Sequence, residues 1–180
     1  MAESGSPLTR LIIIRGNSAS GKTRAAEEIR NRYGSGLAIV SQDVLRRDIL
    51  KQADDPGNPA IGLMDLTARY ALDHGYHVVV EGILFSQSHA EMLTALVRDH
   101  AGQSVCFYYE LSFEETVRRH ASKPQAAEYG PDLMQGWYRE HDQIPALNET
   151  IIGPRDSLDD AVSRMMDAVG LKSTTGKDHS

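Results

Sequence analysis

The residues best equipped for chemistry lie in one early stretch, Gly16-Asn17-Ser18-Ala19-Ser20-Gly21-Lys22-Thr23. A glycine, four variable residues and then Gly-Lys-Thr is the spacing of a phosphate-binding loop. Glycines at 16 and 21 let the backbone turn tightly and come close to a ligand. Successive N–H groups then face phosphate oxygens, helped by the positive end of the following helix. Lys22 is expected to reach the β- and γ-phosphates of ATP, and the Thr23 hydroxyl to ligate Mg²⁺. The whole run 16–23 is therefore a candidate nucleotide site, with ATP and Mg²⁺ as its expected cofactors.

A second group follows at Ser41-Gln42-Asp43-Val44-Leu45-Arg46-Arg47. Asp43 comes directly after a short apolar run, which places it at the carboxyl end of a strand, the ligand edge of an open α/β sheet. There it could act as general base for a substrate hydroxyl, with Arg46 or Arg47 holding the acceptor. The plainer alternative makes Asp43 a helix N-cap and the arginines a solvated face. Glu81 follows four strand residues, His77 to Val80, and precedes Gly82. That placement resembles the second NTPase signature, whose carboxylate supports Mg²⁺ or its water shell. Glu81 is thus expected at the metal and beside the acceptor. Arg118, Arg119 and Lys123 cluster at a helix end and loop, where cations could close over a triphosphate or simply favour the helix dipole.

These groups need elements to hold them. Leu11 to Ile14 read as a buried strand, starting at about Leu8. Ala25, Ala26, Ile29 and Tyr33 mark a helix after the loop, closed by Gly34-Ser35-Gly36. Further strands are expected at 37–40, 77–80, 104–110 and 150–152. Helices are expected after Asp43, over about 58–74 and 86–100, from the capping box Ser112/Glu115, over 132–142, and over 158–169. Residues 132–142 would carry a stripe of Leu133, Met134, Trp137, Tyr138 and His141, read as packing. Strands alternating with helices predict an α/β three-layer domain with a parallel sheet. The whole of 1–180 reads as one domain, with residues 1–7 and 172–180 loose.

The totals restrict the function. A net charge of −6 argues against a large nucleic-acid footprint. The single cysteine, Cys106, forms no internal disulfide and reads as a small buried hydrophobe. No secretory leader and no apolar run of membrane-spanning length is visible, so a cytoplasmic location is the default expectation. No histidine shows zinc-type spacing.

With these motifs in place, nearly the whole chain resembles the small P-loop kinases. The Ser-x-Asp-x-x-Arg element at Ser41, Asp43 and Arg46 is similar to the acceptor motif of zeta-toxin-like, polynucleotide 5′-kinase-like and antibiotic phosphotransferase-like kinases. Val80-Glu81-Gly82-Ile83-Leu84 is similar to a segment of uridine kinases. The resemblance implies a five-stranded P-loop NTPase sheet in the order 2-3-1-4-5 with a helical lid. It implies Asp43 as base, Arg46 on the acceptor, Arg118 and Arg119 as lid arginines, and the turn 153–155, with Arg155, beside the adenine. Lys123 stands where many of these lids carry arginine. The expected activity is transfer of the γ-phosphate to a hydroxyl of a nucleoside, nucleotide-sugar or antibiotic-like molecule. Two alternatives remain: a nucleotide-gated switch, and a toxin kinase held by a protein partner.

Overall fold

A computed structural model describes residues 3–55, 57–122 and 128–174. Its framework is a parallel sheet of five strands in the order β2-β3-β1-β4-β5. The strands are β1 (Arg10–Gly16), β2 (Leu37–Ser41), β3 (His77–Gly82), β4 (Gln103–Tyr109) and β5 (Thr150–Ile152). The α-helices are α1 (Lys22–Tyr33), α2 (Ala60–Asp73), α3 (Ser86–Asp99), α4 (Phe113–His120), α5 (Pro131–Trp137) and α6 (Leu158–Ala168). The expected strand order and layers are those observed.

Side chains alternate across a strand, and β1 divides them between two cores. Ile12 and Ile14 pack with Ala25, Ala26 and Ile29 of α1 and with Ala161, Val162 and Met165 of α6. Leu11 and Ile13 face the other way, onto Met64 and Ala68 of α2 and Leu93 and Leu96 of α3. A strand buried on both faces needs a continuous apolar run, which is what Leu11 to Ile14 supply. Cys106 is buried in the second core, and burial pushes its thiol up to about 12.

Several local expectations need correction. β1 begins at Arg10; Leu8 precedes it in a turn and is exposed. The helix expected after Asp43 is a π-helical segment, Val44–Ile49. Ser4 is buried and tied to the end of α3, accepting from Ala101 N and donating its N–H to Asp99 O, so the terminal segment is anchored from there. Thr174 N likewise donates to Arg32 O. On α4 the buried residues are Thr116 and His120, while Phe113 and Val117 are half-buried.

The largest departure is α5. The expected helix 132–142 stops at Trp137, Tyr138 is extended, and His141 adopts a left-handed conformation. Of the expected stripe only Met134 is buried. The cause lies 122 residues away: Asn17 Oδ1 accepts from Arg139 N (2.8 Å), and Asn17 Nδ2 donates to Arg139 O (2.7 Å). An amide that takes both backbone groups of Arg139 removes them from any helical ladder.

Candidate active site

The loop after β1 is held open by its first glycine. Gly16 has φ +144 and lies opposite Tyr109 in the β1–β4 register; a Cβ there would meet Tyr109 O at 2.8 Å. Ala19 holds φ +60, a left-handed conformation strained for a residue with a Cβ. Lys22 is buried and reaches back over its own loop, donating to Asn17 O (2.7 Å) and Ser20 Oγ (3.0 Å). Ser18 Oγ is 3.4 Å from the hydroxyl of Tyr129.

Glu81 joins three elements. It is 2% exposed at the carboxyl end of β3. Thr23 Oγ1, in the first turn of α1, donates to its Oε2 at 3.1 Å, and Ser41 Oγ, at the end of β2, donates to its Oε1 at 2.5 Å. The sequence pairs Thr23 with Glu81; the hydroxyl of Ser41 as their neighbour is not visible in it. Hydroxyl and carboxylate oxygens are hard donors of the kind Mg²⁺ takes. Among the described residues no group of three or more His, Cys, Asp and Glu is placed to hold a metal ion by itself. A cation here would draw its remaining ligands from phosphate and water, as Mg²⁺ does beside a nucleotide.

Asp43 stands two residues beyond Ser41, on the same sheet edge. Its side chain is 63% exposed, and Oδ1 lies 3.2 Å from both Arg46 Nη2 and Arg47 Nε. It makes no side-chain capping bond and is itself helical in φ and ψ, so the N-cap alternative does not hold. Arg46 also donates to Gln52 O at 3.1 Å.

The two arginines expected in a lid divide. Adjacent residues on a helix point about 100° apart, from 3.6 residues per turn, so one faces the loop. That one is Arg119, whose Nη1 donates to Ser20 O (2.9 Å) and whose Nη2 lies 3.5 Å from Pro154 O. Arg119 thus links the phosphate loop to the turn that carries Arg155, which is exposed. Arg118 is mostly exposed and grips Glu115 through two bonds. Lys123 lies outside the described residues. Half of the capping box forms: Ser112 Oγ accepts from Glu115 N, while the Glu115 carboxylate goes to the arginines instead.

Hydrogen bonds from Arg118, then Arg119, hold the Glu115 carboxyl well below the usual range, at about 2. A depressed folded-state value means the carboxylate's contribution to stability is complete above the unfolded value of 4.5 and is lost as pH falls toward 2. The urea midpoints of the native protein and Glu115→Gln should therefore differ by a constant amount above pH 4.5 and converge on approaching pH 2. The gap should shrink with added salt, because Arg118, the first of the two partners, is mostly exposed. A gap that persists at the acid end would show that the contribution is not ionic.

Behind the loop lies a feature absent from the sequence reading. Arg15, fully buried, donates from Nε to Leu84 O (2.9 Å), from Nη1 to Glu149 Oε1 (2.7 Å), and from Nη2 to Asp142 O (2.9 Å) and Oδ2 (3.1 Å). Asp142 also accepts from Ser86 N and Oγ, capping α3, and Glu149 Oε2 accepts from Ile144 N. The Tyr108 hydroxyl accepts from Asp142 N, and burial pushes that phenol up to about 12. Arg15 and Asn17, on either side of Gly16, thus both bind the segment 139–149.

A parallel sheet in this order, with a Gly-x-x-x-x-Gly-Lys-Thr loop between β1 and α1, defines a P-loop NTPase fold of the kinase kind. More particularly, the chain belongs to the AAA domain family, which matches residues 11–133. Among solved structures it is similar to the APS kinase CysC of Mycobacterium tuberculosis, in complex with AMPPNP and APS. The TM-score is 0.70 at 16% identity, over 91% of this chain and 99% of that one. It is similar to a gluconokinase from Sinorhizobium meliloti 1021 (TM-score 0.60, 17% identity, 94% of each chain). It is also similar to the tunicamycin resistance protein of Deinococcus radiodurans (TM-score 0.60, 17% identity, 92% of this chain and 98% of that one). At such identities the likeness is one of fold. No curated protein sequence matches the chain. Among the described residues no helix is long and apolar enough to cross a membrane.

Proposed function

We propose that the protein is an ATP-dependent kinase that transfers the γ-phosphoryl group to a hydroxyl of a small molecule in the cytoplasm. The observation that carries this reading is the Glu81 bridge. One carboxylate ties the first turn after the phosphate loop to the end of β2, from which Asp43 and its two arginines follow directly. A nucleotide switch needs no carboxylate beside two arginines at that edge.

In this reading the loop amides of residues 16–23 and Lys22 bind the triphosphate. Thr23 and Glu81 would hold Mg²⁺, which would supply positive charge to offset that of the triphosphate. Asp43 takes the proton of the acceptor hydroxyl, whose oxygen forms the new bond to phosphorus as the bond to the β-phosphate oxygen breaks and ADP leaves. Arg46 and Arg47 hold the acceptor. Arg119 offers a planar guanidinium to the transferred group, with Arg118 and Arg155 nearer the rim. The neighbours named for APS kinase and gluconokinase support a small hydroxylated acceptor; the net charge of −6 favours such a molecule over nucleic acid.

The test is incubation with labelled ATP and fractionated cell extract, followed by mass analysis of whatever gains phosphate. Lys22→Met should lower that transfer by about 100- to 1,000-fold, the usual cost of removing one charge-stabilising donor. Absence of labelled product from every fraction, with ATP still bound, would favour the switch.

A further inference from the structure

We propose that Ser41 is a positioning residue of the magnesium site, setting the affinity for the cation by fixing Glu81. The inference rests on the reading of Thr23 and Glu81 as the metal-holding pair. Ser41 and Glu81 are register partners across β2 and β3, so the contact is built into the sheet itself. The two carboxylate oxygens are divided between donors from different elements: Ser41 Oγ on Oε1 at 2.5 Å, Thr23 Oγ1 on Oε2 at 3.1 Å.

Glutamate needs such a brace. Its terminal torsion is broad and roughly two-fold, and it carries one more rotatable bond than an aspartate would. A donor on each oxygen removes that freedom before the cation arrives. Serine suits the task because its hydroxyl donates without bringing a positive charge to compete with the metal. Without it, a carboxylate that is 2% exposed loses the donor on one oxygen and regains its rotation. Groups that orient a metal ligand from behind generally contribute 10- to 100-fold in metal affinity. The position also has a consequence for the acceptor side. The residue that steadies the metal carboxylate lies two places before Asp43, so the cation and the proposed base are referred to the same strand end.

Mn²⁺ is the probe, its free concentration read by electron paramagnetic resonance on the full chain saturated with the non-hydrolysable analogue AMPPNP. Ser41→Ala should weaken Mn²⁺ binding by about 10- to 100-fold, and Ser41→Thr, which keeps the hydroxyl, should return it to within about threefold of native. AMPPNP affinity without metal should be the same in all three proteins. Mn²⁺ binding in Ser41→Ala that equals or exceeds native would overturn the proposal, as would Ser41→Thr binding as weakly as Ser41→Ala. Native protein that binds AMPPNP but no Mn²⁺ would instead remove the reading of Thr23 and Glu81 beneath it.

Discussion

Asp43→Asn is expected to lower phosphoryl transfer by about 10²- to 10⁴-fold, the range of a lost general base, while ATP binding stays at its native value. The substitution is isosteric and falls on a side chain that is 63% exposed. Surface changes of that kind usually move stability by no more than about 0.5 kcal/mol, so a loss of rate cannot be assigned to unfolding. The asparagine can still accept from Arg46 and Arg47, but it cannot take a proton from the acceptor. Lys22, Thr23 and the loop amides are untouched, which is why calorimetry with AMPPNP should give one affinity for both proteins. Full transfer by Asp43→Asn would place the base elsewhere.

Glu149→Ala should destabilise the protein by about 3–5 kcal/mol, the range for breaking a buried ion pair, because the more deeply buried of Arg15's two carboxylates is lost and only Asp142 remains. Arg15 is wholly buried and the Glu149 side chain is 2% exposed. The change removes the acceptor for Arg15 Nη1 and, at the same time, the one for Ile144 N. For a chain of this size that corresponds to a fall in melting temperature of about 6–20 °C. A fall of under about 2 °C would mean that Asp142 or entering water satisfies Arg15 alone. Nucleotide binding measured well below the transition should also weaken, because Arg15 directly precedes Gly16.

The parts of the molecule legible in the sequence are those written in local pattern. The loop announces itself by glycine spacing, and α6 by its apolar stripe from Leu158 to Val169. The edge position of Asp43 follows from the apolar run before it. Arg15 was not legible. A charge ending such a run reads as the point where a strand meets water, and only the approach of residues 139–149 turns it into a core residue. The true end of α5 was hidden for the same reason: nothing near Tyr138 says that Asn17 will capture the backbone of Arg139. Arg118 and Arg119 read as one basic pair over the triphosphate, and their directions on α4 separate them: Arg119 reaches Ser20 O, while Arg118 turns to Glu115. Ser41 passed as part of the acceptor motif because its partner, Glu81, lies on a neighbouring strand.

The double attachment of Arg15 and Asn17 to residues 139–149 bears on how the protein is born. The ribosome delivers β1 and the nucleotide loop first, yet the carboxylates that neutralise Arg15 and the backbone that engages Asn17 are translated more than 120 residues later. The strands flanking β1 are themselves non-local, and pairings between distant parts of a chain form slowly. A nascent chain therefore carries a finished loop sequence without a finished loop, and the loop gains both of these attachments only once residues 139–149 have been made.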